Sequence, residues 1–132
     1  MVLDGDGLCV SSVDNLRCVD CSRCSRVCPI LNPVFSNDPE PECYAFRACE
    51  EEVLRSSSGG AFFPLAEWMI SRGGYVCGVV FDGELNAVYR MTQDIGVVRA
   101  MQKSKYVFSE MGDIYGEIEE ALGSGKEVLF AG

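Results

Sequence analysis

The chain of 132 residues contains no histidine. This absence excludes metal sites with imidazole ligands and acid–base catalysis by histidine, the side chain that titrates nearest to neutral pH. Basic residues are also scarce, since eleven lysines and arginines stand against twenty aspartates and glutamates, for a formal net charge of −9. Phosphate contacts of nucleic acids and anionic membrane surfaces both require clustered basic side chains. The charge therefore argues against nucleic acid and against membrane as partners.

Long apolar runs are missing as well. None is long enough to span a bilayer, and the polar, acidic start of the sequence lacks the pattern of a secretory signal peptide. With eight cysteines in the chain, we expect a protein of the reducing cytoplasm whose cysteines bind metal instead of forming disulfides. The length is sufficient for one domain with a modest core, or for a small domain with a metal-bound appendage.

Four of the eight cysteines lie close together in the sequence. They are Cys18, Cys21, Cys24 and Cys28 in the run C-V-D-C-S-R-C-S-R-V-C-P, which ends on Pro29. Bacterial ferredoxins bind iron–sulfur clusters through thiolates at this spacing. Tetrahedral zinc sites usually combine two Cys-x-x-Cys pairs separated by a longer stretch, so the spacing favours a cluster over zinc. We therefore predict half of a ferredoxin-like [4Fe–4S] segment over residues 1–33.

The fourth ligand of the cluster stays open. In two-cluster ferredoxins the last cysteine of such a run binds the other cluster, so Cys28 could serve a second cluster. Cys9, Cys43 or Cys49 could then complete the first, or each could be an ordinary thiol with no ligand role. Cys77 lies in an apolar run and is predicted to be part of the core.

The organisation after the cysteine run predicts an α/β domain. Residues 34–42 are rich in proline and are interpreted as an extended linker. In residues 43–132 predicted strands alternate with predicted helices, which is typical of a mixed or parallel sheet with flanking helices. A turn at residues 4–7 and a short strand at 8–10 precede the cysteines. Strands are predicted at 44–48, 75–81, 87–91 and 126–132, and helices at 50–54, 61–72, 94–101 and 113–122.

A run of small residues precedes the first long predicted helix. Ser56, Ser57, Ser58, Gly59 and Gly60 could let a ligand approach the backbone, and the serine hydroxyls and helix N–H groups could donate to a phosphate. The alternative is a helix cap whose glycines serve packing alone. Neither a P-loop lysine nor a G-x-G-x-x-G motif is present, so no familiar nucleotide motif decides between them.

The third signal lies near residue 105. Lys103, Lys105 and Tyr106 place two cations and an aromatic ring together in an otherwise acidic chain. Such a group could neutralise and stack on an anionic cofactor. The alternative is a solvated pair of lysines beside a tyrosine of the core.

Taken together, these pieces resemble the beta-subunit family of coenzyme F420-reducing hydrogenases and dehydrogenases. The resemblance rests on pieces that occur in the family's order and cover most of the chain. They are the cysteine run with the following I-L-N, S-S-S-G-G-A-F at residues 56–62, G-G-Y-V-C-G-V-V-F-D at 73–82, S-K-Y-V at 104–107 and V-L-F-A-G at 128–132.

The resemblance implies an oxidoreductase subunit that is an iron–sulfur flavoprotein. It would pass electrons between [4Fe–4S] clusters, FAD and a soluble acceptor, which is coenzyme F420 in the founding members. Its partners would be other oxidoreductase subunits or a ferredoxin-type electron donor. The residues implied at the flavin nucleotide are Ser57, Ser58, Gly59, Gly60, Lys105 and Tyr106, and no catalytic residue is assigned.

Two other interpretations remain open at this point. Long relatives carry two ferredoxin runs and a further C-terminal domain, so we expect this chain to be an N-terminal fragment, which puts independent activity in doubt. The chain could also be a ferredoxin-like electron carrier or docking module that binds a cluster and no flavin.

Overall fold

The chain forms two compact units, Met1–Cys43 and Tyr44–Gly132. The structure, a computed structural model, describes residues 2–3, 5, 9–33 and 40–132. Most of the turn expected at residues 4–7, Leu8 of the first predicted strand and residues 34–39 of the predicted linker lie outside the described residues.

The first unit contains little regular structure. A two-stranded antiparallel ribbon pairs β1 (Val2–Leu3) with β2 (Cys9–Val10). Among the residues of this unit that the structure describes, one short helix, α1 (Arg23–Val27), lies within the cysteine run and buries none of its residues.

The second unit is an α/β domain built on a small mixed sheet. Its three strands are arranged in the order β4 (Ala87–Thr92), β3 (Tyr75–Phe81) and β5 (Val128–Phe130), with β4 antiparallel and β5 parallel to β3. This confirms the predicted α/β class with a mixed sheet and helices. The helices are α2 (Glu50–Arg55), α3 (Phe62–Ser71), α4 (Ile95–Met101) and α5 (Ile114–Gly123), and the strands are β3 (Tyr75–Phe81), β4 (Ala87–Thr92) and β5 (Val128–Phe130).

Local sequence signals set the ends of the helices. Asp94 caps α4, because its carboxylate accepts the N–H groups of Gly96 and Val97, as an N-cap aspartate does. Pro64 lies in the first turn of α3, where its missing N–H costs no helical hydrogen bond. That helix ends at Ser71 and is followed, after Arg72, by Gly73, whose φ of +79° is a left-handed conformation that glycine adopts without strain.

Strand β3 is buried on both faces, as its continuous apolar run predicts. Val76 and Val80 belong to the core that also contains Phe63, Ala66, Met69, Val98 and Met101 of helices α3 and α4. Successive strand residues point to opposite faces, and Cys77 is also fully buried. Burial raises the pKa of the Cys77 thiol to about 11, and Glu117 of α5 adds to the shift. Cys77 is thus a core residue, as predicted.

The strand predicted at residues 44–48 is wrong. The Ala48 N–H donates to the carbonyl oxygen of Gly59 at 2.8 Å, so the segment bonds to a loop and not to another strand. Its alternating aromatic residues, Tyr44 and Phe46, are exposed. In the part of the chain that the structure describes, no helix is long and apolar enough to cross a membrane.

A partly buried ion pair joins α2 to α4. Both carboxylate oxygens of Glu52 accept hydrogen bonds from the same nitrogen of Arg99, each at 2.6 Å. The Arg99 guanidinium also stacks over the Phe63 ring. Glu52 is 9% exposed. The hydrogen bond from Arg99 is the largest cause that lowers the pKa of Glu52 from its usual 4.5, and it outweighs the opposing effect of burial.

This lowered pKa makes part of the stability acid-labile. The contribution is fully present above the usual pKa of 4.5 and is lost as the pH falls through the lowered pKa of the folded state. We expect Glu52→Gln to be less stable than the wild type at neutral pH and to lose less stability on acidification. Urea midpoints along a pH series check this, with Glu119→Gln on the exposed part of α5 as control. A Glu52→Gln acid profile parallel to that of the wild type would contradict the assignment.

Candidate functional site

A groove of about 920 Å³ opens at the end of β5 in the second unit. It is lined by Ala131 and Gly132, which follow β5, and by Gly78 and Val79 of β3. Ligands of open α/β sheets bind at the carboxyl ends of parallel strands, and ligand pockets measure about 300–1,000 Å³. The groove therefore has the position and the size of a small-molecule site.

Both candidate segments of the second unit line this groove. The serine–glycine run forms one wall, and the loop that follows α4 forms another. The site residues named from the sequence that meet here are Ser57, Ser58, Gly59, Gly60, Lys105 and Tyr106.

Hydrogen bonds fasten the two walls to each other. The backbone N–H of Ser104 donates to Oγ of Ser57 at 2.9 Å, although the two residues are 47 positions apart in sequence. The Ser104 hydroxyl lies 3.5 Å from the same oxygen. The side-chain amide of Gln102 donates to Oγ of Ser56 at 3.4 Å and to Glu52 at the same distance. The ion pair of the core is thus connected to the wall of the groove.

The two glycines of the run are required by packing. A β-carbon at Gly59 would lie 2.6 Å from the carbonyl oxygen of Phe46, closer than real β-carbons approach. Gly60 has a φ of +79° and a backbone that passes against Ala48. The serines, in contrast, do not cap α3, since that helix begins after Ala61 without a side-chain hydrogen bond. The packing part of the alternative thus holds for the glycines, and its capping part fails for the serines.

Lys105 lines the groove, but its ammonium is bound to the protein. Nζ donates to the carbonyl oxygens of Ala100, Met101, Gln102 and Lys103 at 2.8–3.2 Å. Burial lowers the pKa of this lysine. Tyr106 is 93% exposed, so the alternative that places it in the core is wrong.

The groove is free of negative side chains, although the protein is acidic. Lys103 and Lys105 line it, and none of its described lining residues is an aspartate or glutamate. A smaller cleft of about 360 Å³ in the same unit is lined by the four carboxylates Asp82, Glu110, Asp113 and Glu117. The side chains that line the two sites thus differ in charge: lysines only in the groove, and four carboxylates with Arg90 in the cleft.

Aromatic side chains that the sequence did not indicate as site residues also line the groove. They are Tyr44, Phe46, Phe62, Tyr89 and Phe108. The alternation at residues 44–48 predicts a strand, and this prediction gave no sign that Tyr44 and Phe46 line the groove.

The cysteine run of the first unit forms a loop with tight turns. The Asp14 carbonyl accepts the N–H groups of Arg17 and Cys18 at 3.1 and 2.9 Å. Asp20 and Ser22 both adopt left-handed φ values, of 50° and 56°, which turn the chain between successive cysteines. The Asp20 N–H donates to Sγ of Cys18 at 3.4 Å.

This donor set fits an iron–sulfur cluster in its chemistry. Cys18, Cys21 and Cys24 are exposed and Cys28 is partly exposed, so the four thiols are accessible. A backbone N–H bond to a cysteine sulfur is one of the features that tune cluster potentials. Over the described ranges, however, no three histidine, cysteine, aspartate or glutamate side chains are grouped closely enough to hold a metal ion.

The other cysteines differ in their environments. Cys43 and Cys49 are exposed free thiols, and Cys49 immediately precedes α2. The side chain of Cys9 lies outside the described residues.

No protein-family model matches the chain, and neither the curated proteins nor the solved structures yield a match.

The packing at Gly59 can be tested against a matched glycine. We expect Gly59→Ala to lower the free energy of unfolding by about 1–3 kcal/mol, because the added methyl group overpacks the contact with Phe46. Gly123→Ala at the end of α5 meets no atom within 4 Å and should be neutral or stabilising by about 0.4–1 kcal/mol. Denaturant unfolding measures both. Equal effects of the two substitutions would show that the Gly59 contact does not matter.

Proposed function

We propose that the chain is an electron-transfer component of an oxidoreductase, with a [4Fe–4S] cluster bound by the cysteine run and FAD bound in the groove. The proposal extends to a soluble acceptor such as coenzyme F420 and to partners that are other oxidoreductase subunits or a ferredoxin-type donor. The resemblance to the F420-reducing beta-subunit family supports this direction, because its motifs occur here in the family's order.

One observation carries the flavin half of the proposal. A groove with no aspartate or glutamate among its described lining residues joins the serine–glycine run to the lysine loop in a chain of net charge −9. A flavin nucleotide requires donors and positive charge for its phosphates and apolar surface for its planar ring. Serine hydroxyls, lysines and aromatic rings supply these three properties in one groove.

The cysteine loop supports the cluster half. Cys18, Cys21, Cys24 and Cys28 would hold the cluster, and the Asp20 N–H would bond to the Cys18 sulfur. When bound, a flavin exchanges electrons in pairs or singly and a cluster exchanges one at a time, so the two together link two-electron to one-electron partners.

The residues of the groove have separate roles in this proposal. The Ser57 hydroxyl accepts from the Ser104 N–H and keeps its own O–H free to donate to a ligand. Tyr106 and Phe108 are exposed at the groove and offer ring faces to a planar heterocycle. Gly59 and Gly60 hold the run against the segment of Phe46 and Ala48, which keeps this wall in place.

The direct test is anaerobic reconstitution of the full chain with iron, sulfide and FAD. We expect the broad absorbance of a cluster with flavin bands above it, together with iron and labile sulfide in the desalted protein. Cluster absorbance alone would favour the electron carrier without flavin. Bound zinc, or the absence of iron, labile sulfide and flavin, would contradict the proposal.

The ligand assignment is tested by Cys21→Ser. We expect the variant to bind no cluster iron and to become more sensitive to protease cleavage within residues 9–33, because ligation contributes folding energy to this segment. Ser25→Ala in the same loop is the matched control and should retain iron. Unchanged iron content and protease resistance in Cys21→Ser would refute the assignment.

A further inference from the structure

The two lysines beside the groove have different environments. A lysine ammonium has three N–H donors, and that of Lys105 already has four carbonyl acceptors within 3.2 Å. These carbonyls belong to the last residues of α4 and to the two residues that follow it, at the negative end of the helix dipole. An anionic ligand at Lys105 would have to displace them.

Lys103 has the opposite character. It is exposed, lines the groove and makes no ion pair with any side chain in the described part of the chain. Its φ of +69° is left-handed, an uncommon conformation for a residue with a β-carbon. The Lys103 carbonyl is one of the four that Lys105 binds, so Lys105 helps to hold this conformation.

Ser104, which lies between the two lysines, is also held in place by Lys105. Ser104 donates its N–H to Ser57 on the opposite wall. The Lys105 ammonium, by binding the carbonyls of Gln102 and Lys103, fixes the chain that presents Ser104.

We propose that the two lysines have different roles in the groove. Lys103 supplies the positive charge that binds the phosphates of the flavin nucleotide, and Lys105 is a positioning residue that closes α4 and fixes the loop bearing Lys103 and Ser104. This inference rests on the proposed flavin site. It reverses the expectation, taken from the resemblance, that Lys105 contacts the cofactor.

Two probes separate a phosphate contact from a positioning effect. FAD carries phosphates and riboflavin carries none, so a phosphate-binding lysine affects only the first. We expect Lys103→Gln to weaken FAD binding about tenfold, to reduce its salt dependence and to leave riboflavin binding unchanged. We expect Lys105→Gln to weaken both ligands by the same factor, to keep the salt dependence, and to speed amide hydrogen exchange at residues 101–104 in the free protein.

Matched variants complete the design. Lys103→Arg keeps the charge and should restore FAD affinity. Lys126→Gln removes an exposed lysine that does not line the groove and should bind both ligands as the wild type does. Titrations follow flavin fluorescence, and circular dichroism confirms that each variant is folded.

A measurement on the wild type avoids any folding defect. Amine acetylation of the full chain, read by mass spectrometry, should label Lys103 quickly and Lys105 slowly, and FAD should protect Lys103. The inference would be overturned if FAD protected Lys105 from acetylation, or if Lys105→Gln weakened FAD binding but not riboflavin binding. Either result would leave the proposed flavin site intact. A wild type that binds neither flavin would overturn the proposed function itself and the inference with it.

Discussion

The groove depends on the hydrogen bond from the Ser104 N–H to Oγ of Ser57, the shortest of those that join its walls. It joins two loops that belong to different parts of the sequence, and each loop is held from behind by other contacts. On one side Gly59 packs its backbone against Phe46. On the other, the Lys105 ammonium closes the end of α4. The site is thus preformed by the protein's own polar groups, so a ligand would not have to order two free loops on binding.

The distribution of charge is the second organising feature. The chain has a net charge of −9, yet none of the described residues that line the larger groove is an aspartate or glutamate, while four such residues line the smaller cleft. Charged side chains of opposite sign therefore dominate the two sites, with Lys103 and Lys105 at the groove and four carboxylates beside Arg90 at the cleft. Gln102 connects the partly buried pair of Glu52 and Arg99 to Ser56 in the wall of the groove. Stability of the core and geometry of the site are therefore linked through one network.

Much of the fold follows from local patterns in the sequence. The apolar run of β3 and the Asp94 cap of α4 were predicted correctly, because burial on both faces and capping act within a few residues. The segment of Tyr44 and Phe46 was predicted wrongly as a strand, because alternation does not reveal whether a pairing partner exists. The engagement of Lys105 could not be predicted, since it depends on where the loop returns to the carbonyl end of α4. The different roles of Lys103 and Lys105 therefore became visible only from the positions of these carbonyl oxygens in the fold.

The central claim is that this groove binds a flavin nucleotide, and ligand-dependent hydrogen exchange of the full chain tests it most directly. Exchange measured by mass spectrometry with and without FAD should slow at residues 56–62 and 101–108, the segments that form the two walls. Residues around the acidic cleft, such as Glu110 and Asp113, should be unaffected except where the two sites adjoin at Tyr89 and Met111. Unchanged exchange in both walls at saturating FAD would contradict the account.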